Sequence, residues 1–308
     1  MHNLHMIDRR IHVLRMLAAC GTVTAAAEVL HYTPSAVSQQ IRTLGKDLGV
    51  ELVVHDGRGV RLTPAARALL ARVDDLLGTW EEIRAEVAAA GDGSAGASEL
   101  RLCGFSTAAA ALLPSVAARI LLERPKCRVL LIEADPGECF DLLLADEADV
   151  AVVVATEEVP PVNDPRFEQE ALLADPLDLL VPAAHHLTTS SSVALRDLSR
   201  ERWIMDRPGR PYHHLLLAAC AGAGFTPAVA HYAREWDTGA AMVAAGFGVA
   251  LIPRLARLPD GYSVTRIPLD GEPRPARHIV AGFRRGGRHN PGVAAALRAL
   301  HDAAVLHA

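Results

Sequence analysis

Aromatic residues are scarce in this sequence, 4% of 308 positions, so any core must be filled mostly by small aliphatic side chains. Half of the chain is hydrophobic and 22% is charged, which excludes a disordered polymer and fits an alanine-rich globular protein of two or three units. No uncharged apolar run reaches the roughly 18 residues of a membrane span. Asp8, Arg9 and Arg10 stand where a signal peptide would need its apolar segment, so a cytosolic protein is expected. The five cysteines (Cys20, Cys103, Cys127, Cys139 and Cys220) are odd in number, widely spaced and form no C-x-x-C pair. They argue against a disulfide framework or zinc ribbon and for buried thiols.

Catalytic signatures are missing as well. There is no G-x-S-x-G, no H-E-x-x-H and no G-x-x-x-x-G-K-[ST], and Gly222-Ala223-Gly224 and Gly246-Phe247-Gly248 lack the third glycine of a dinucleotide loop. His185-His186 and His213-His214 are sequence neighbours, a spacing expected to turn two imidazoles apart rather than towards one metal. No enzyme, cofactor or metal site is expected.

What is present begins with an uneven distribution of charge. The net charge is −5, yet residues 1–70 carry eight Lys/Arg against five acids, and residues 71–90 two against five. A mildly basic head on an acidic body is the asymmetry of a nucleic-acid-binding module attached to something else.

In that head, Ile11, Leu14, Leu17 and Ala18 recur at helical spacing from Asp8 to Cys20, and Gly21 stops the helix. A short second helix follows, capped by Thr22 or Thr24, with small residues Ala25 to Ala27 where a neighbour must approach. After a turn at His31-Tyr32, Thr33 is placed as N-cap and Pro34 at the first helical position of a third helix through Leu44. At about 100° per residue, Val37, Ile41 and Leu44 share one stripe, while Ser35, Ser38, Gln39 and Arg42 gather on the opposite face. Hydroxyls, an amide and a guanidinium are the groups that read base edges and phosphates from a helix in the major groove. Val53-Val54 and Val60-Arg61-Leu62 then flank the turn residues His55 to Gly59, a hairpin on which Arg58 and Arg61 are placed to neutralise phosphates.

The string Thr24-Ala25-Ala26-Ala27-Glu28-Val29-Leu30 through Thr33-Pro34-Ser35-Ala36-Val37-Ser38 to Ile41 and Leu44 resembles the helix-turn-helix of LysR-type transcriptional regulators. Leu48-Gly49-Val50-Glu51-Leu52 and Arg61-Leu62-Thr63-Pro64-Ala65 resemble the family's segments on either side of its wing. The family usually carries Glu at Gly45, Arg at His55 and Gly at Ala66, so a charge at the end of the recognition helix and one phosphate contact are in doubt. The DNA-contacting residues implied are Thr33, Pro34, Ser35, Ser38, Gln39, Arg42, Arg58 and Arg61.

Thr63-Pro64 starts another helix that runs to about Ala90 before the Gly91 to Gly96 stretch. Leu69, Val73, Leu76, Trp80, Ile83 and Val87 recur at the a/d spacing of a coiled coil. About 27 residues at ~1.5 Å each span ~40 Å, more than a small winged domain needs, which favours a dimer helix.

Beyond it, strands Glu99–Phe105, Cys127–Glu133 and Val150–Ala155 alternate with helices Ala108–Glu123 and Glu138–Ala145 as two βαβ units. A second α/β lobe follows, with chain crossings expected near Glu168–Ala174 and Ser263–Leu269, and the chain returns through Arg277–Phe283 and the helix Pro291–Val305. Leu112-Leu113-Pro114, Ala148-Asp149-Val150-Ala151-Val152 and Val243 to Pro253 are similar to the effector domain of the same family, which resembles periplasmic binding proteins. Ligands in such folds sit at strand carboxyl ends and helix N-termini. That selects Ser106, Thr107, Thr156, Asp206, Trp236, Asp237, Thr238 and Phe247 as effector contacts, with an anionic, cationic or zwitterionic ligand left open.

The expected fold class is α/β. It comprises an N-terminal all-α winged helix-turn-helix over 1–63, a long linker and dimerisation helix over 64–91, and a two-lobed α/β effector domain over 97–308. Lobe I takes about 97–168 and 269–308, and lobe II about 169–268. The resemblance implies a transcriptional regulator whose partners are double-stranded DNA, a small-molecule effector, further copies of the chain as a homodimer or homotetramer, and RNA polymerase, with no membrane. The alternative is a cytosolic small-molecule binding protein without regulated DNA binding.

Overall fold

The computed structural model describes residues 8–56, 59–90 and 99–307. The head is three helices and a hairpin: α1 (Arg9–Cys20), α2 (Val23–Val29), α3 (Pro34–Leu48), β1 (Val53–Asp56) and β2 (Gly59–Leu62). Local chemistry sets each helix boundary. Asp8 accepts from the Arg10 amide and Gly21 closes α1 in the left-handed region, Thr22 caps α2, and Thr33 caps α3 with Pro34 directly behind it. The third helix runs a turn further than expected, to Leu48. Gly45 lets the chain fold back closely over the helix end after Gly49, because a Cβ there would stand 2.7 Å from the Val50 carbonyl oxygen. The missing family charge at this position is therefore on the inner side of the helix, where no side chain fits. Val13, Leu14, Leu17, Val37, Ile41, Leu44 and Leu52 form the core of the head.

α4 (Pro64–Ala90) leaves the head as one continuous helix, begun by Thr63, whose hydroxyl accepts from the Ala66 amide. It passes lobe I at a close crossing: a Cβ on Gly286 would come within 2.7 Å of the Gly78 carbonyl oxygen, and Gly286 holds φ +76°. Arg15 of α1 and Asp74 of α4 form an ion pair at 3.1 Å, about nine-tenths buried. Met16 of α1 packs in the same cluster as Cys139, Phe140 and Leu143, so the head rests on its own lobe I.

Lobe I contains β3 (Glu99–Gly104), α5 (Ser106–Ala111), α6 (Leu113–Glu123), β4 (Arg128–Glu133), α7 (Pro136–Leu144) and β5 (Val150–Val154). The single helix expected over 108–123 is two: it starts at Ser106 and is interrupted at Leu112, because Pro114 has no N–H to continue the ladder. The chain then crosses on β6 (Phe167–Pro182). Lobe II follows with β7 (Val193–Ala194), β8 (Arg202–Met205), α8 (Pro211–Gly222), β9 (Ala228–Tyr232), α9 (Trp236–Ala244), β10 (Ala250–Pro253) and β11 (Val264–Asp270). β12 (Ala276–Arg284) and α10 (Pro291–Val305) return to lobe I.

The sheet order is β4-β3-β5-β12-β6-β11-β7, with β10 also on β6. Within β6, Phe167 to Pro176 pair with β12 and Leu177 to Pro182 with β10 or β11. The change of lobe thus falls between Pro176 and Leu177, later than the 168–169 boundary expected. The return falls between Asp270 and Ala276, later than the Ser263–Leu269 crossing. Leu102, Val150, Phe283 and Leu297 lie in the lobe I core; Leu177, Leu179, Trp203 and Leu251 lie in that of lobe II. Among the described residues no helix is long and apolar enough to cross a membrane.

Candidate nucleic-acid interface and ligand cleft

On α3 the apolar stripe faces inwards, and Ser35, Gln39 and Arg42 are exposed with Ser38 half-exposed. The Arg42 and Gln39 side chains have no ion pair or hydrogen bond among the described residues, and the Gln39 backbone carbonyl accepts from the Thr43 hydroxyl. Thr33 and Pro34 are exposed at the helix start, but the Thr33 hydroxyl is committed: it accepts from the Ala36 amide and contacts the Ser35 hydroxyl at 3.0 Å. Arg61 is exposed on β2, and Arg58 lies outside the described residues.

Along α4, Leu69 and Val73 pack down on their own molecule. Leu76, Ile83 and Val87 are 48%, 43% and 68% exposed, and Trp80 is half-buried, so the later part of the seam is uncovered in the single chain.

Between the lobes lies a cavity of about 720 Å³. Its walls are the N-terminal ends of four helices: Ser106-Thr107 of α5 and Asp135-Pro136 of α7 from lobe I, Arg210 to Tyr212 of α8 and Glu235-Trp236 of α9 from lobe II. None of these four ends carries a side-chain cap; Pro136 and Pro211 give α7 and α8 no N–H at the first position, and the remaining N–H groups of the first turns are left for a ligand or water. Contacts that bridge the lobes include the Trp236 indole N–H, which donates to the Thr107 hydroxyl at 3.2 Å, Arg234, which meets Asp135 at 3.5 Å, and His214, which stands 4.0 Å from Glu157. The Tyr212 ring stands edge-on to Trp236 at 4.8 Å, and its hydroxyl donates to the Leu251 carbonyl. Burial pushes that phenol's pKa up, so it stays a neutral donor.

The cations of the cleft all have carboxylate partners. Arg277 is buried against Asp175 at 2.7 Å and lies over the Phe105 and Trp236 rings at 5.1 and 5.8 Å. Arg210 holds Asp206 at 3.0 Å, and Arg234 is shared between Asp135 and Glu235. Glu133 and Glu158 also line the cleft, and neither has an ion pair among the described residues. The cleft therefore offers backbone donors inside and spare carboxylates at its edge.

Of the expected effector contacts, Ser106, Thr107, Thr156, Asp206 and Trp236 line this cavity. Asp237, Thr238 and Phe247 do not. Asp237 is exposed and accepts from the Tyr262 hydroxyl, Thr238 is exposed, and Phe247 sits against His231 at 5.2 Å. Arg277, Asp135 and Glu133 were not selected from the sequence, since nothing local marks them as neighbours.

The cysteines match buried thiols. Cys103, Cys127, Cys139 and Cys220 are buried and Cys20 is half-buried. Burial pushes Cys20 and Cys220 up to about 11, and the neighbouring Cys139 thiol together with burial raises Cys103, so these are not thiolate nucleophiles at neutral pH. One expectation about histidines is overturned. His213 and His214 do separate, with His213 Nδ1 on the Asp206 carbonyl, but the His185 and His186 rings lie 4.4 Å apart beside Glu201. A 3-10 turn over His186–Thr189, begun at His185, folds the two side chains together instead of on opposite sides.

Residues 9–67 match the family model "Bacterial regulatory helix-turn-helix protein, lysR family", and residues 93–305 match "LysR substrate binding domain". The HTH-type transcriptional regulator XapR of Escherichia coli is 31% identical over 238 residues, covering 74% of this chain and 79% of that protein. IlvY of the same organism is 27% identical over 281 residues, covering 90% of this chain and 89% of that protein. Among solved structures, a full-length OxyR variant from Pseudomonas aeruginosa superposes with a TM-score of 0.65 at 22% identity, covering 98% of this chain and 95% of that one. CbnR does so with a TM-score of 0.57 at 23% identity, covering 96% and 100%.

Proposed function

We propose, from the premise that the chain belongs to the LysR family of transcriptional regulators, that α3 reads a dyad-related operator in the cytosol under control of an effector held in the interlobe cleft. The observation that carries the DNA reading is the polar face of α3, where the Gln39 and Arg42 side chains are exposed without partners among the described residues while the opposite stripe is buried. Gln39 is suited to adenine and Arg42 to guanine, and Ser35 and Ser38 to bases or phosphates. Arg58 and Arg61 of the wing add phosphate contacts that position without specifying sequence. The uncovered seam Leu76, Trp80, Ile83 and Val87 is assigned to a second copy of the chain, giving a dimer or, by pairing of dimers, a tetramer. RNA polymerase is the further partner of the DNA-bound assembly.

In the cleft, Ser106, Thr107, Thr156, Asp206 and Trp236 surround the effector. Four uncapped helix ends favour an acceptor group such as a carboxylate, and the unpaired Glu133 and Glu158 favour an amine at the other end. The reading is a small polar, zwitterion-like molecule. Such a ligand shifts the regulator only through unequal affinity for two lobe arrangements. The Trp236–Thr107 and Arg234–Asp135 contacts are among the bridges that it would tighten or break.

Selection from a random duplex pool tests the DNA reading. Wild type should enrich paired half-sites about one helical turn apart. Arg42→Ala or Gln39→Ala should weaken the enriched site by about 1–3 kcal/mol with oligomeric state unchanged. A pool that shows no enriched site, or equal affinity in both variants, would remove this face from the groove.

A further inference from the structure

The His185, His186 and Glu201 side chains are not used by the DNA face or by the cleft. They belong to lobe II, where the segment after β6 meets the segment entering β8, and each contributes one ligand atom to a group whose atoms all lie within 4.8 Å of one another. His185 Nε2 is 3.6 Å from a Glu201 carboxylate oxygen. For a tetrahedral zinc ion with bonds of about 2.0–2.1 Å, ligand atoms stand roughly 3.3 Å apart, so this pair is already near the edge length the ion requires. The wider distances involve a movement of the order of 1.5 Å at most. His186 is exposed and has the rotamer freedom to make it.

We propose that His185, His186 and Glu201 form a surface site for a divalent transition-metal ion of the zinc class. Two imidazoles and one carboxylate are the donor set that zinc takes in three-ligand sites with a fourth position left to water or another donor. They are also too nitrogen-rich for magnesium or calcium, which take oxygen ligands. His185 and Glu201 are partly buried, with side-chain exposures of 17% and 23%, so two of the three ligands are held by packing before the ion arrives. Binding through His185 Nε2 requires the ring proton on Nδ1. The 3.4 Å contact in which Nδ1 accepts from the Leu187 amide must therefore give way, and it is long enough to do so at little cost. Any proton on either imidazole that would occupy a coordinating nitrogen is released to solvent on binding. The ion would tie the end of the crossing strand β6 to the start of β8, bracing lobe II without entering the cleft.

The test uses the full chain stripped with a chelator and titrated with ZnCl2 by calorimetry, with CoCl2 as a spectroscopic probe. One saturable equivalent per chain is expected, together with a visible Co2+ absorption band and a rise in unfolding temperature, since an ion bound only to the native state stabilises it. His186→Ala and Glu201→Gln each replace an exposed or half-exposed side chain and should retain the fold. Each should weaken the equivalent by roughly tenfold or more, as the loss of a ligand from a three-ligand site implies, and their combination should abolish the Co2+ band. His307→Ala, an exposed imidazole outside the group, should change nothing. A saturable equivalent that survives in the double variant, or none forming below millimolar Zn2+, overturns the proposal.

Discussion

The helices of the winged head and those that open on the cleft begin in opposite ways. Asp8, Thr22, Thr33 and Thr63 close the starts of α1 to α4 with their own side chains, whereas α5, α7, α8 and α9 start without any such bond. A side-chain cap is worth about 1 kcal/mol, so four omissions at one place amount to stability left unused. The contrast separates two kinds of recognition. The head satisfies its backbone internally and presents side chains to DNA. The effector domain keeps the arginines of its cleft paired with carboxylates and presents backbone donors to the cleft.

The largest effect follows from that division. If the cleft arginines hold the structure together rather than wait for a ligand, removing Arg277 should act first on folding. Asp175 is 1% exposed and would keep, among the described residues, only the Leu255 amide as partner. Arg277→Ala should therefore cost about 3–5 kcal/mol in urea unfolding, the range for breaking a buried pair from one side. Asp175→Asn in the same chain should recover part of it. A loss below about 1 kcal/mol would mean that the pair is not structural, and that Arg277 is available as an anion anchor after all.

The same division explains what could be read from the sequence. The head was legible because its signals are local: Thr33-Pro34 marks a helix start, Gly21 a helix end, and Val37, Ile41 and Leu44 an inward stripe within one helix. The cleft was half legible. The rule that ligands gather at strand and helix ends found Ser106, Thr107, Thr156, Asp206 and Trp236, but could not tell which way each successive residue turns. One step of about 100° beyond Trp236 takes Asp237 out to the Tyr262 hydroxyl, and Thr238 is exposed as well. Arg277 arrives from β12, about 70 residues after Asp206, and no local pattern announces that convergence. The β6 crossing was misplaced because one uninterrupted strand changes its pairing partners at Pro176–Leu177, and hydrophobic alternation alone does not mark a change of partner.

His12 breaks the rule for the head, and so offers the second prediction. It is 8% exposed on α1, and its Nδ1 is buried with no hydrogen-bond partner among the described residues. Burial, followed by the charges of Arg15 and Arg9, brings its pKa down to about 4 from an ordinary 6.5. Between those values the unfolded chain binds the proton and the folded chain does not. The stabilising contribution of neutral His12 is thus complete above pH 6.5 and lost as pH falls towards 4. The full loss is of the order of 3 kcal/mol. Denaturant unfolding of wild type and His12→Phe at pH 7 and pH 5 checks it: the stability difference between them should move in favour of the variant at pH 5. If the two fall in parallel, His12 takes up its proton in the fold as readily as in the unfolded chain, and the head has no such weak point.

The smallest effect bears most directly on the contrast between the two kinds of helix start. Thr33→Ala removes the acceptor for the Ala36 amide at 3.2 Å and should cost about 1 kcal/mol, within the usual 0.5–2 for a cap. Ser106→Ala removes no cap from α5 and should be close to neutral in the same unfolding measurement. The converse change is more telling. Ser106→Asp places a carboxylate beside free N–H groups and should stabilise the protein by about 0.3–1 kcal/mol, because a negative charge at a helix start complements the helix dipole. It would also occupy donors assigned to the effector, so the stabilised variant should bind an acceptor-bearing effector less well. Stability and sensing should move in opposite directions at Ser106, whereas at Thr33 the loss of the cap should lower helix stability and DNA affinity together. If Ser106→Asp destabilises the fold, those amides already have acceptors, and the open helix starts are not what the cleft uses to hold its ligand.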